Sequence, residues 1–424
     1  MNTHDLIVFF LGISAMLAVA LLLGHVMRRL HLPGVAGELL GGILLGPTVF
    51  EALAPEWYAW LFPATSTASL SRDAVIKLGL LFFLFSAGLQ VNLAHLRQRG
   101  LSIAATSISG IVVPFGLGLG SALLLPNLWG FQATGNTWLF ALFLGTALSI
   151  SALPVIARIL MDLDLMQKPL GAVVIAAATL DDLIGWALFV VILGNFVPAG
   201  QPGRSLWVTL GLVLAFSALA LSIGRWPGRH ALRWSQSHLP WPSGFIGVTA
   251  ILVLIAAAAA EAVGIHAIFG AFLIGVALAQ SSEEHKQAHQ VVSQFVRSFF
   301  APLYFVSVGL QADFAANFDL RLVLLTLFVA CIGKIGGVSL GAWLGRLPPR
   351  EALAVGFGMN ARGAMGMILA SVALEYELID GRIFVSLIVM ALVTSILSAP
   401  IMQRLLMKPP TSGQRVDVNQ APAK

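Results

Sequence analysis

The sequence predicts an all-α polytopic membrane protein of about thirteen transmembrane helices built as an inverted repeat, and three observations carry that expectation. Of its 424 residues 58% are hydrophobic and only 10% charged, far from the composition of a soluble domain. Apolar stretches approaching the roughly 20 residues that a helix needs to cross hydrocarbon recur along the whole chain. Two glycine-bearing segments of the first half return in the second. The net charge of +5 does not point to nucleic acid, because the basic residues sit at the ends of apolar stretches and not in one patch. One cysteine, Cys331, and nine scattered histidines exclude an internal disulfide and a thiolate metal cluster, and no cofactor is expected.

The first stretch, 6–27, has no lysine or arginine ahead of it and Arg28-Arg29 behind it, the reverse of a cleaved signal peptide, so it is expected to remain as a helix. Further helices are expected at 34–50, 74–91, 101–125, 138–160, 169–194, 206–224, 243–260, 262–280, 293–310, 321–345, 352–374 and 383–405. The longest connection, 51–73, carries Trp57, Tyr58 and Trp60 and is expected to lie along the interface. With the N-terminus outside, seventeen of the 24 lysines and arginines fall at inside loops and helix ends, including Arg28, Arg97, Arg158, Arg229, Lys286, Arg346 and Arg404. The outside keeps Arg72, Lys77, Arg204, Arg321 and Arg382. That asymmetry predicts a cytoplasmic C-terminus. After Arg404 the chain is expected to form a disordered tail over 409–424, with no soluble regulatory domain.

Ser86-Ala87-Gly88-Leu89-Gln90 returns as Ser307-Val308-Gly309-Leu310-Gln311, offset by 221 residues, and the glycine spacing of Gly41 to Gly46 returns at Gly270 to Gly275, offset by 229. In the predicted topology the first Gly-Leu-Gln core ends a helix inside and the second ends one outside, the pattern of transporters that alternate access around a midplane site.

Ionisable groups in the middle of such helices each need a reason. Asp181 and Asp182 lie near the centre of their stretch. Both cannot be charged there without a cation or a basic partner, since a like neighbour and loss of water both penalise the charged form. A carboxylate in that position holds a proton or a metal cation by turns, and competition between the two couples their fluxes. Lys334 is also central in its helix, and Asp181 or Asp182 is its natural partner. Arg362 and Asn360 lie in the glycine-rich run Gly358 to Gly366, and Thr146, Ser149 and Ser151 lie in the matching run that ends at Pro154. Both runs read as broken helices whose freed carbonyls and hydroxyls can face an ion. A packing role for Arg362 and back-bonding by the serines are the competing readings. Glu38, Glu261 and His266, nearer predicted helix ends, are expected to cap, pair locally or face a water-filled cavity. No His-Glu-x-x-His pattern speaks for an intramembrane enzyme, and the midplane lacks the aromatic and amide groups that would hold an organic substrate for symport.

Gly37-Glu38-Leu39, Gly46-Pro47, Ser149 to Leu160, Asp181-Asp182, Gly270 to Gly275 and Asn360-Ala361-Arg362-Gly363 occur in that order. In this order they resemble the second monovalent cation:proton antiporter family of the sodium/proton exchanger superfamily, over nearly the whole chain. The resemblance implies a transmembrane antiporter domain over 1–408 in a bacterial inner membrane, with a core at about 74–194 and 293–405 and dimer-forming helices at about 6–50 and 206–280. It implies two crossed broken helices around Ser149 and Arg362. It further implies a homodimer in lipid that exchanges Na⁺, or alternatively Li⁺ or K⁺, for H⁺ electrogenically, with Asp182 binding the cation or proton and Asp181 bonding Lys334. Ser151 stands where related sequences commonly carry threonine. Electroneutral K⁺/H⁺ exchange and gated K⁺ efflux are the alternatives within transport, and the cytoplasmic nucleotide-binding domain usual in the efflux relatives is not expected here.

Overall fold

A computed structural model describes residues 2–30, 32–91, 100–130, 137–166, 168–195, 205–223, 228–240, 243–279 and 290–406. The predicted tail and the basic residues Arg97, Arg204 and Lys286 lie outside the described residues. The helices are α1 (Thr3–Arg29), α2 (Gly34–Leu45), α3 (Pro55–Leu61), α4 (Thr67–Leu89), α5 (Gly100–Leu124), α6 (Thr137–Ser149), α7 (Leu153–Asp162), α8 (Pro169–Asn195), α9 (Leu206–Ile223) and α10 (Arg229–His238). They continue with α11 (Ser243–Val263), α12 (Ala267–Leu278), α13 (Gln290–Gln311), α14 (Leu320–Leu344), α15 (Pro349–Gly358), α16 (Gly363–Glu375) and α17 (Gly381–Leu406).

Local chemistry sets several of these ends. Asn2 and Asp5 form a reciprocal cap on α1, and Arg28 and Arg29 close its last turn, placing charge of the right sign at each end of the helix dipole. Ser66 and Ser69 cap α4 in the same way, so this helix starts at Thr67 and not at 74 as the apolar run alone suggests. Glu261 accepts a hydrogen bond from the Ala267 amide at 2.8 Å and His266 is the N-cap of α12. These two therefore cap, one of the roles expected of them. Glu38, in contrast, is buried within α2, and the Arg28 side chain lies close by, since both approach Gly24.

Among the described residues eight helices are long and apolar enough to cross a membrane, nine when the bent pair α15 and α16 is taken as one span. The thirteen predicted stretches coincide with helices or broken pairs, but α2, α9 and α12 are shorter than a full crossing, and α4 opens with Arg72, Asp73 and Lys77.

The repeat is visible in the packing. Gly309, in one Gly-Leu-Gln core, lies against Gly42 of α2, where an added Cβ would come within 2.7 Å of the Gly42 Cα. Gly88, in the other core, lies against α12, where its Cβ would meet the Phe272 carbonyl at 2.2 Å and the Gly275 Cα at 3.1 Å. Each core therefore packs on the glycine-rich helix of the opposite half, at backbone separations that only glycine permits. The corresponding helices α5 and α14 pack on each other. Helices α4 and α13 pack with α1, α2 and α12.

Candidate ion-binding site

Two helices break beside each other. The α6–α7 break, Ile150 to Ala152, fits Pro154 in the first turn of α7: it has no amide to continue the ladder back to Ile150, and its ring would clash with the carbonyl there. The α15–α16 break, Met359 to Arg362, ends at Gly363 with φ +39°, a conformation open to glycine, and the two arms meet at 45°. The breaks touch: the Ala152 amide donates to the Ala361 carbonyl at 2.8 Å, and the Ser151 hydroxyl lies 2.9 Å from the Met359 carbonyl.

Breaking a helix strands carbonyls, and buried carbonyls need donors. Two cations supply them at the C-terminal end of α6. Arg362 donates to the Leu148 carbonyl at 2.5 Å, to the Ala330 carbonyl at 3.0 Å and to Asn360 Oδ1 at 2.7 Å. Lys334 Nζ donates to the Ser149 carbonyl at 2.5 Å and to the Gly110 carbonyl at 3.0 Å. Both side chains are wholly buried, and both balance the negative end of the α6 dipole.

Lys334 also pairs with Asp181, Nζ to Oδ2 at 2.5 Å, with both side chains inaccessible to solvent. Asp181 takes two further contacts, from Ser151 Oγ to Oδ2 at 3.1 Å and from Ser107 Oγ to Oδ1 at 3.3 Å. Its neighbour is different. Asp182 is 1% exposed, and its Oδ1 has no hydrogen-bond partner. One turn earlier on α8, Thr179 Oγ1 is also buried without a partner, and positions three apart share a helix face. A carboxylate oxygen and a hydroxyl are hard donors suited to a small alkali cation.

The structure thus brings Asp181, Asp182, Lys334, Ser151, Arg362 and Asn360 together around the two breaks. Thr146 and Ser149 are present but turned away: their hydroxyls bond back to Leu142 and Thr146 within α6, and Ser149 takes part through its carbonyl. Ser107, Thr179 and the Gly110 and Met359 carbonyls were not expected. Gly337-Val338-Ser339-Leu340-Gly341 has the spacing of a hydrolase nucleophile elbow but runs through the unbroken middle of α14, without the strand-to-helix turn that such an elbow requires.

Two buried helix breaks in contact beside a carboxylate pair and a lysine define an all-helical transporter fold built from two paired halves. A family profile described as "Sodium/hydrogen exchanger, transmembrane" matches residues 14–408, and the chain belongs to that family. It is 32% identical to cation/H⁺ antiporter 18 of Arabidopsis thaliana over 92% of its own length and 48% of that protein's, so it spans about half of that relative. It is 30% identical to the Na⁺/H⁺ antiporter NhaS4 of Synechocystis, covering 96% of this chain and all of the other, and 27% identical to the K⁺/H⁺ antiporter 1 of Saccharomyces cerevisiae, covering 95% of this chain and 47% of the other. Its fold is similar to that of the sodium proton antiporter MjNhaP1 from Methanocaldococcus jannaschii, with a TM-score of 0.60 over 94% of this chain and 96% of that one at 14% identity.

Proposed function

We propose that the chain exchanges a small monovalent cation for protons across a bacterial inner membrane by alternating access, with Asp182 as the carrier. The observation that supports this is the difference between two adjacent carboxylates. Asp181 is engaged by a lysine and two hydroxyls, whereas Asp182 Oδ1 is buried and unpartnered. A bare carboxylate out of water costs several kcal/mol, so Asp182 holds a proton or a cation, never neither, and moving the bundle between two openings converts that competition into exchange. Na⁺ is the leading substrate, as in the names of NhaS4 and MjNhaP1, with Li⁺ and K⁺ as competitors. With the Asp181–Lys334 pair unchanged, Asp182 trading one proton for one cation is electroneutral; the proposed electrogenic exchange requires a second proton per cation, which Lys334 supplies when it leaves Asp181 and deprotonates on cation binding.

The test is cation-induced recovery of a ΔpH dye in proteoliposomes, with Na⁺, Li⁺ and K⁺ compared. Asp182→Asn abolishes recovery; exchange at the wild-type rate would overturn the reading. The yeast relative's K⁺/H⁺ name supports a second reading, electroneutral K⁺ exchange. Transport unresponsive to a clamped membrane potential and selective for K⁺ would favour it. The further proposals are an outside N-terminus, a cytoplasmic C-terminus and a homodimer. Support for the dimer comes from the exposed apolar faces of α1 (Phe10, Leu21, Leu22) and α11 (Ile251, Ile255), which need lipid or a second copy. Cross-linking through cysteines introduced on α1 tests this arrangement.

A further inference from the structure

Resting on that reading, we propose that α5 is the seat of the Asp181–Lys334 pair, holding the acid through Ser107 and the base through a carbonyl that Pro114 leaves without a helical donor. Pro114 lies inside α5. It has no amide, so the carbonyl four residues earlier, Gly110, cannot make its ordinary intrahelical bond. That carbonyl accepts from Lys334 Nζ at 3.0 Å. The approach is close on the lysine's own helix as well: a Cβ on Gly333 would lie 2.8 Å from the Pro114 Cα, and one on Gly337 would lie 3.3 Å from its Cδ. A proline that merely bent α5 would not need to sit against the two residues that flank the lysine by one and three positions.

Proton accounting isolates Ser107. Lys334 has three N–H donors, and its three acceptors are Asp181, Ser149 and Gly110. Ser151 has one hydroxyl proton and two acceptors within reach, Asp181 Oδ2 and the Met359 carbonyl, so it cannot serve both at once. Ser107 faces a single acceptor, Asp181 Oδ1, and is the neutral donor committed to the acid. Ser107 and Gly110 are three apart and share one face of α5, so a single helix grips both members of the pair. Ser107 and Pro114 are positioning residues: they act by keeping the ammonium on Asp181 and away from Asp182. Loosen the seat and the lysine's charge is shared with Asp182, where it competes directly with the incoming cation.

The test measures the KM for Na⁺ and the maximal rate in proteoliposomes normalised to folded protein. Ser107→Ala and Pro114→Ala each raise the KM about fivefold or more, the order expected for losing one charge-assisted hydrogen bond, with maximal rate within about twofold. Pro114→Ala restores an amide for Gly110 and improves helix propensity, so weakened transport from it is not a folding defect. Ser107→Thr keeps the hydroxyl and retains the wild-type KM. Gly116→Ala, on a part of α5 where an added Cβ meets nothing within 4 Å, is the helix control and changes neither constant. An unchanged KM in both Ser107→Ala and Pro114→Ala, while Asp182→Asn abolishes exchange, overturns this inference and leaves the proposed function standing. Exchange by Asp182→Asn overturns the function itself.

Discussion

The two breaks are related by the repeat yet electrically unlike. At the α6–α7 break the freed carbonyls of Leu148 and Ser149 meet two full positive charges, Arg362 and Lys334. At the α15–α16 break the freed carbonyls of Met359 and Ala361 meet a serine hydroxyl and a backbone amide. Both cations come from the second half of the chain and both aspartates from the first. Neither half could form the site alone: the fold repeats, but the charge is divided between the repeats. Backbone geometry can be duplicated and inverted, whereas a buried charge must find its opposite in the other copy.

This division is broken most severely by removing Arg362. Arg362→Leu strands the Leu148 carbonyl and Asn360 Oδ1 in the protein interior, a loss of roughly 3–5 kcal/mol, and is expected to appear as a large fall in melting temperature in detergent. A melting temperature within a few degrees of wild type would mean that the first break does not depend on charge from the second half. Next in size is the ion pair. Lys334→Ala leaves Asp181 uncompensated and costs about 3 kcal/mol, and adding Asp181→Asn recovers at least about half of that, because removing one member of a buried pair is worse than neutralising both. If the double variant melts no higher than the single one, the two halves are not joined through this pair.

The helices are legible in the sequence because lipid tolerates few alternatives to long apolar runs. The carboxylates and Lys334 are legible because charge in such runs is rare. Ser107 is not. Serines in apolar helices ordinarily bond back to their own turn, and Ser109, two residues on, does so with the Ala105 carbonyl at 2.6 Å. Only the packing of α5 against α8 turns Ser107 outward to Asp181. Likewise Pro114 announces a missing amide, but which distant side chain takes the freed carbonyl depends on α14 arriving there. The packing of Gly88 on α12 and of Gly309 on α2 is set by glycine faces that meet across the repeat, a pairing that hydropathy does not encode.

Smaller effects sharpen the comparison at single hydroxyls. Ser151→Ala removes a donor within reach of both the Met359 carbonyl and Asp181 and is expected to lower stability by about 1–2 kcal/mol, with a measurable loss of exchange. Ser149→Ala is expected to do almost nothing. The Ser149 hydroxyl bonds to the Thr146 carbonyl, which already accepts the Ile150 amide at 3.2 Å, and the Ser149 carbonyl that holds Lys334 belongs to the backbone and survives the substitution. The change should stay within about 0.5 kcal/mol in stability and leave the exchange rate near wild type. If Ser149→Ala instead abolished exchange, its hydroxyl would have to leave Thr146 for the ion during transport, and the first break would act through side-chain oxygens as well as carbonyls.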